Sequence, residues 1–135
     1  MILYEDKDII VCHKMAGIAV QSARIGEKDL VSMLNNYLME QAGGNHTEPV
    51  RIVHRLDQPV EGIVVFAKNK KAAASLSAQI TDGSMKKVYQ AVCCVTEAGR
   101  HWIGNAGKND QELIDYMAKD ARTNSSAVVK KGQKD

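Results

Sequence analysis

The segment His54-Arg55-Leu56-Asp57 places an acidic side chain directly beside cationic ones. Asp57 falls in a stretch that reads as a loop after a strand, and Arg51 lies shortly before it in the chain. Positive neighbours favour the ionised carboxylate, which is the form that acts as a nucleophile or a general base. The same spacing also fits a structural role, in which Asp57 caps a turn and pairs with an arginine. Spacing alone leaves both interpretations open.

A second group of candidate residues lies in the stretch 86–95, which reads as a strand. Lys87 and Tyr89 alternate along it, so we expect both side chains on one face. A lysine and an aromatic ring presented together suit a nucleotide turned out of its stack, although a strand tyrosine is often an ordinary packing residue. The histidines show no ligand spacing with cysteines or acids, so we expect no metal site.

Composition and charge limit the function classes. The 135 residues, 44% of them apolar, are enough for one domain with a single core. The net charge is only +2, yet residues 49–90 carry seven basic and three acidic side chains. This basic middle segment predicts a polyanionic partner.

The cysteine pattern and the hydropathy bear on the compartment. Cys12, Cys93 and Cys94 are odd in number and two are adjacent, which favours free thiols in a reducing cytoplasm. No apolar run approaches the roughly 18 residues of a membrane span, and no leader segment opens the chain. We therefore expect neither export nor membrane insertion.

The elements that would position these residues follow from local patterns. The sequence predicts an N-terminal hairpin around Glu5 to Asp8, a helix over Asp29–Met39 stopped by Gly43-Gly44, and a strand over Ile63–Ala67 buried on both faces. Further elements are a helix capped by Asn69 and ending near Ile80, the strand Lys86–Val95, a helix over Gln111–Met117 and a strand at Ala127–Val129. The hairpin signals predict an α+β fold with a mixed, mainly antiparallel sheet and flanking helices.

Three motifs resemble the signatures of RluA-type RNA pseudouridine synthases. The stretch from Arg51 to Ile63 is similar to the family's core motif, in which His-Arg-Leu-Asp is followed shortly by a glycine and an apolar strand. The opening strand pair with Lys14 and Gly17 resembles the family's first turn, and Lys87-Val88-Tyr89-Gln90-Ala91 resembles its second motif. The three occur in the family's order over residues 1 to 95.

The resemblance implies an isomerisation of uridine to pseudouridine in structured ribosomal or transfer RNA, without metal or cofactor. Asp57 would be the catalytic carboxylate, either attacking ribose C1′ or removing a C2′ proton, and Tyr89 would stack on the everted base. RNA contacts would come from Arg55 together with three further residues: His54, Lys87 and Arg51. The alternative role for Arg55 is that of a salt-bridge partner.

The sequence also departs from the family pattern. Met15 replaces a proline, and Glu61 stands where a serine is usual. Val60 stands where a threonine or valine is usual. The family's third motif, whose arginine pairs with the catalytic aspartate, is not found, so residues 1–135 are expected to form a single but partial catalytic domain. A fragment, a short natural protein or a subunit completed by another copy would each explain this. An exposed sheet edge then predicts a homodimer, and a non-catalytic RNA-binding module is the alternative function.

Overall fold

The computed structural model describes residues 1–24, 26–45, 48–92, 94–97, 114–123 and 125–130. Contacts divide the chain into two compact units, Met1–Tyr89 and Gln90–Asp135. The elements described in the first unit are β1 (Ile2–Glu5), β2 (Ile9–Lys14), α1 (Leu30–Gln41), β3 (Arg51–Ile52), β4 (Gly62–Ala67) and α2 (Lys70–Thr81). Those described in the second are β5 (Tyr116–Asp120) and β6 (Ser125–Val129), which pair with each other.

The first unit is built on a four-stranded sheet with the order β1-β2-β4-β3 and antiparallel pairing throughout. The predicted hairpin is confirmed, because the Asp6 carboxylate accepts hydrogen bonds from the amides of Asp8 and Ile9 and closes the turn between β1 and β2. Strand β2 faces Ile10, Cys12 and Lys14 inward at every second position. This period of two places the Lys14 side chain on the inward face of the sheet.

Helix α1 lies over the inward face of this sheet. Asp29 caps it by accepting a hydrogen bond from the Ser32 amide at 2.7 Å, and Gly43 and Gly44 end it with positive φ angles of 63° and 83°. The predicted helix is confirmed. The buried core joins its leucines to the strands and flanking segments: Ile10, Cys12, Val20, Leu30, Leu34, Leu38, Val50, Val64 and Phe66.

Helix α2 packs beside β4 and β3 and is also confirmed. The Asn69 side chain accepts a hydrogen bond from the Ala72 amide at 2.9 Å and donates one to Asp8 at 2.9 Å. The cap therefore starts the helix and ties it to the β1–β2 turn.

Three expectations about individual elements are wrong. The described residues of 86–95 form no strand: Val88 and Tyr89 are 90% and 62% exposed, because no neighbouring strand offers them a ladder of hydrogen bonds. The predicted helix over Gln111–Met117 is replaced at its described end by β5, where Tyr116 and Met117 pair with β6. Strand β4 is not buried on both faces, since Ile63 is 58% exposed.

The fold class agrees with the prediction. Two antiparallel sheets and two helices among the described residues make an α+β protein, and the strand predicted at Ala127–Val129 lies within β6. The sheet strands are antiparallel rather than mixed, and the only parallel pairing described is an isolated bridge between Ala19 and Asp29. In the part of the chain with described structure, no helix is long and apolar enough to cross a membrane.

Candidate active site

Asp57 lies in the loop 53–61 that joins β3 to β4. Its carbonyl accepts a hydrogen bond from the Val60 amide at 3.0 Å, which closes a tight turn directly after it. Asp57 and Arg55 are exposed, whereas Leu56 between them packs against the core. One apolar side chain therefore holds the loop down while its polar neighbours face solvent.

Gly62 makes room for that apolar anchor. A Cβ atom at this position would lie 3.1 Å from Leu56 Cδ1, tighter than ordinary van der Waals contact. A side chain here would push Leu56, and with it the neighbouring Asp57. The contact gives a physical reason for a glycine five residues after the aspartate.

Lys14 is fully buried beneath the same loop. Its Nζ donates hydrogen bonds to the carbonyls of Ile18 at 2.7 Å, Gln58 at 3.0 Å and Met15 at 3.2 Å. Three acceptors match the three protons of an ammonium group, which makes the buried charge tolerable. Burial lowers the pKa of Lys14, while the carboxylates of Asp57 and Glu61 act in the opposite direction. The charge of Lys14 therefore lies within electrostatic reach of Asp57.

The turn around Gly17 gives the loop a second attachment. The Gly17 amide donates to the Gln58 carbonyl at 2.8 Å, and Gln58 Nε2 donates back to the Gly17 carbonyl at 3.0 Å. Gly17 has a φ of 86°, a conformation that glycine adopts without steric cost. One main-chain bond and one side-chain bond thus join Gln58, the residue immediately after Asp57, to Gly17.

His54 fastens the loop to β4. Its Nε2 accepts a hydrogen bond from the Val65 amide at 3.1 Å. This bond from a side chain follows the last main-chain pairing between β3 and β4. A neutral histidine that accepts at Nε2 carries its proton on Nδ1, and this buried atom has no hydrogen-bond partner within the described residues. Burial, and then the charge of Lys87, lowers the pKa of His54. The neutral form is therefore favoured.

The two arginines that were predicted to contact RNA differ in exposure and in hydrogen-bond partners. Arg51 is half-buried and its Nη2 donates to Glu48 at 3.0 Å, whereas Arg55 is exposed and its Nη2 reaches Gln21 at 3.4 Å. Lys87 is exposed and close enough to affect His54 electrostatically. Tyr89 lies outside any strand, so the strand on which Lys87 and Tyr89 were expected to share a face is not formed. The structure brings Arg55, His54 and Lys14 to the Asp57 loop.

Glu61 ends the loop with a second exposed carboxylate. Its Oε1 lies 2.9 Å from His13 Nε2, and the two side chains are 51% and 38% exposed. The sequence indicated the charge of Glu61 but not its partner, and it assigned no role to Lys14. The inward position of Lys14 could be predicted, because the period of two in β2 places residues 10, 12 and 14 on one face. Its three carbonyl acceptors could not be predicted from that period.

Comparison with known proteins finds a matching family model and several relatives. A family model described as RNA pseudouridylate synthase matches residues 8–135. The uncharacterized RNA pseudouridine synthase YhcT of Bacillus subtilis is 37% identical over 91 residues, which cover 67% of this chain and 30% of that protein. Ribosomal large subunit pseudouridine synthase D of Pseudomonas aeruginosa is 36% identical over 91 residues, covering 67% and 28%.

A longer match is found with tRNA pseudouridine synthase C of Vibrio cholerae. It is 28% identical over 135 residues, which cover 95% of this chain and 51% of that protein. Across these relatives, this chain spans between 28% and 51% of the other protein's length.

Proposed function

The chain belongs to the RluA-type family of RNA pseudouridine synthases, and from this premise we propose that it isomerises uridine to pseudouridine with Asp57 as the catalytic carboxylate. The observation that carries the proposal is the setting of Asp57. Its carboxylate is exposed on a loop whose main chain is held by Lys14, Gly17 and Leu56. A reacting group that is accessible but held on a fixed backbone is what positional catalysis requires.

The reaction conserves all atoms of the uridine. The bond between ribose C1′ and uracil N1 breaks, the base rotates, and a bond forms between C1′ and C5 while the C5 proton moves to solvent and N1 gains one. Asp57 serves either by attacking C1′ or by removing the C2′ proton, and its position at the surface is compatible with both.

The surrounding residues receive roles in RNA binding. Arg55 contacts a phosphate, since its guanidinium is exposed and, among the described residues, makes one long hydrogen bond, to Gln21. Lys87 supplies positive charge near His54, and Arg51 contributes less because Glu48 already binds it. The target uridine must leave its stack to reach Asp57, and Tyr89 is the aromatic side chain proposed to support it.

The RNA class is proposed from the relatives. One is named for the large ribosomal subunit and another for tRNA, so structured RNA of either kind is a candidate substrate. A reducing cytoplasm is the proposed compartment, and the free thiols of the buried Cys12 and the exposed Cys94 are compatible with it.

The proposal is tested by incubating the chain with unmodified ribosomal and transfer RNA transcripts. Pseudouridine is then located by carbodiimide labelling and primer extension, with RNA incubated without protein as the control. We expect stops at specific uridines. If the RNA remains free of pseudouridine although the protein is folded and binds it, the proposed activity is wrong.

One observation favours a second candidate, a non-catalytic RNA-binding module. Tyr89 is 62% exposed and outside any strand, so the proposed stacking aromatic is not presented by a sheet. RNA binding with a steep dependence on salt and without product supports this alternative.

A further inference from the structure

Glu61 and His13 form a pair of side chains beside the Asp57 loop. Glu61 directly precedes β4, and His13 lies in β2 opposite Ile63. The 2.9 Å contact between Glu61 Oε1 and His13 Nε2 fixes one carboxylate oxygen from the neighbouring strand. Because the Glu61 side chain is 51% exposed, its other oxygen is open to a ligand.

The negative charge of Glu61 is not taken up by the buried lysine. The three protons of the Lys14 ammonium are used by the carbonyls of Met15, Ile18 and Gln58. Both Asp57 and Glu61 act on Lys14 through space, so two carboxylates border the same buried charge. Glu61 therefore presents an anionic acceptor next to the loop that carries Asp57.

An anionic acceptor beside an RNA site discriminates between the parts of a nucleotide. Phosphate oxygens are repelled by it, whereas the amino groups of guanine, adenine and cytosine donate hydrogen bonds to it. Uracil carries no amino group, and the single donor of its ring is the N3–H. The favourable partner of Glu61 is therefore the edge of an amino-bearing base, with the sugar-phosphate chain held away on the side of Arg55.

We propose that Glu61, oriented by His13, is a specificity-determining residue that accepts a hydrogen bond from the amino group of a base flanking the target uridine. This inference rests on the proposed function, because it takes the Asp57 loop to be where the uridine binds. It adds a rule for substrate choice, in which uridines beside amino-bearing bases are preferred over those within runs of uridine.

Binding of short single-stranded RNAs to the full chain tests this rule. Each RNA contains one uridine with a variable nucleoside on one side. In the first pair that nucleoside is guanosine or inosine, and in the second pair it is adenosine or purine riboside. The two members of a pair therefore differ by one amino group. Measured by fluorescence anisotropy, at least one amino-bearing RNA should bind about tenfold more tightly than its partner. Equal affinities in every pair would overturn the proposal.

Variants separate the role of Glu61 from general effects of charge. Glu61→Ala should bring that ratio close to one, because the amino-bearing RNA loses its hydrogen-bond acceptor and binds more weakly. The control Glu40→Ala removes an exposed acid of α1 and should leave the ratio unchanged. His13→Ala should reduce the ratio, since Glu61 loses its holding contact. A ratio that persists in Glu61→Ala refutes the assignment.

Failure of the base readout and failure of the isomerase proposal can be told apart. Pseudouridine formation by the wild-type chain is measured with the same RNAs. Product without any preference between paired RNAs contradicts the role of Glu61 alone. A preference without product leaves the base readout standing, and the catalytic function is then decided by the ribosomal and transfer RNA transcripts.

Discussion

Arg51 and Arg55 stand in the same short segment, but their guanidinium groups have different surroundings. Arg51 is half-buried and engaged by Glu48, and its Nε lies buried without a partner in the part of the chain that the structure describes. Arg55 is exposed with one long contact to Gln21. Only a free guanidinium can form two parallel bonds to a phosphate at little cost.

This difference predicts unequal effects on RNA binding. Arg55→Ala should weaken RNA affinity about fivefold and reduce the slope of log affinity against log salt by about one. Arg51→Ala should change the slope by less. Fluorescence anisotropy over a series of salt concentrations measures both, and equal slope changes for the two variants would contradict the account.

His54 makes the stability of the fold depend on pH. Burial lowers its pKa below the ordinary value of 6.5 in the folded state, so the unfolded chain binds the proton first as the pH falls. Its contribution to stability is complete above that value and decreases as the pH falls through 6.5 toward the lowered pKa.

His54→Gln should remove this dependence while keeping an acceptor for the Val65 amide. Urea unfolding near pH 7 and near pH 5 measures the free energy of unfolding of both proteins. The decrease between the two pH values should be smaller in the variant than in the wild type. An unchanged decrease would mean that His54 is not the titrating group.

At the scale of elements, Lys14 joins the end of β2 to the Asp57 loop. Replacing it by Met leaves three carbonyls without their donor and removes the charge under the loop. Lys14→Met should lower the free energy of unfolding by about 2 kcal/mol and also lower the turnover number.

The matched control for this prediction is Lys68→Met. The ammonium of Lys68 bonds Glu5 at 2.6 Å and the Asp6 carbonyl at 2.8 Å, but its side chain remains partly exposed. Its loss should cost less than about 1 kcal/mol and leave turnover unchanged. Equal losses of stability and activity in both variants would refute the anchoring role of Lys14.

Elements with local signals could be predicted from the sequence. Helix α1 has an apolar period and two glycines at its end, α2 has Asn69 as its cap, and β2 and β4 have β-branched residues in short runs. The stretch 86–95 has the same alternation but forms no strand in its described residues. A pattern of side chains specifies a face, whereas a strand also needs a partner that local sequence does not identify.

The candidate site also has features that local sequence predicts and features that it does not. The acid and its cationic neighbours were predicted because they are contiguous in the chain. The contacts that hold them come from distant segments: Lys14 and Gly17 meet Gln58, and His54 meets Val65. Such contacts depend on which strands become neighbours, so the sequence indicated the candidate acid but not the contacts that hold its loop.

At the scale of the molecule, the two outer strands of the four-stranded sheet have an open edge. Strands β1 and β3 are each paired on one side only among the described elements. Open edges favour pairing with a second copy, so the homodimer stays a prediction. Static light scattering should give twice the monomer mass of 14.8 kDa, and a uniform monomer would contradict it.

The central claim assigns the isomerisation to Asp57, and the variant Asp57→Asn tests it most directly. Pseudouridine formation, RNA affinity and thermal unfolding are compared with those of the wild type and of Asp82→Asn, which alters an exposed aspartate at the end of α2. The account predicts that Asp57→Asn binds RNA and unfolds like the wild type but forms no detectable pseudouridine, while Asp82→Asn retains activity. Product formation by Asp57→Asn at the wild-type rate would contradict the claim.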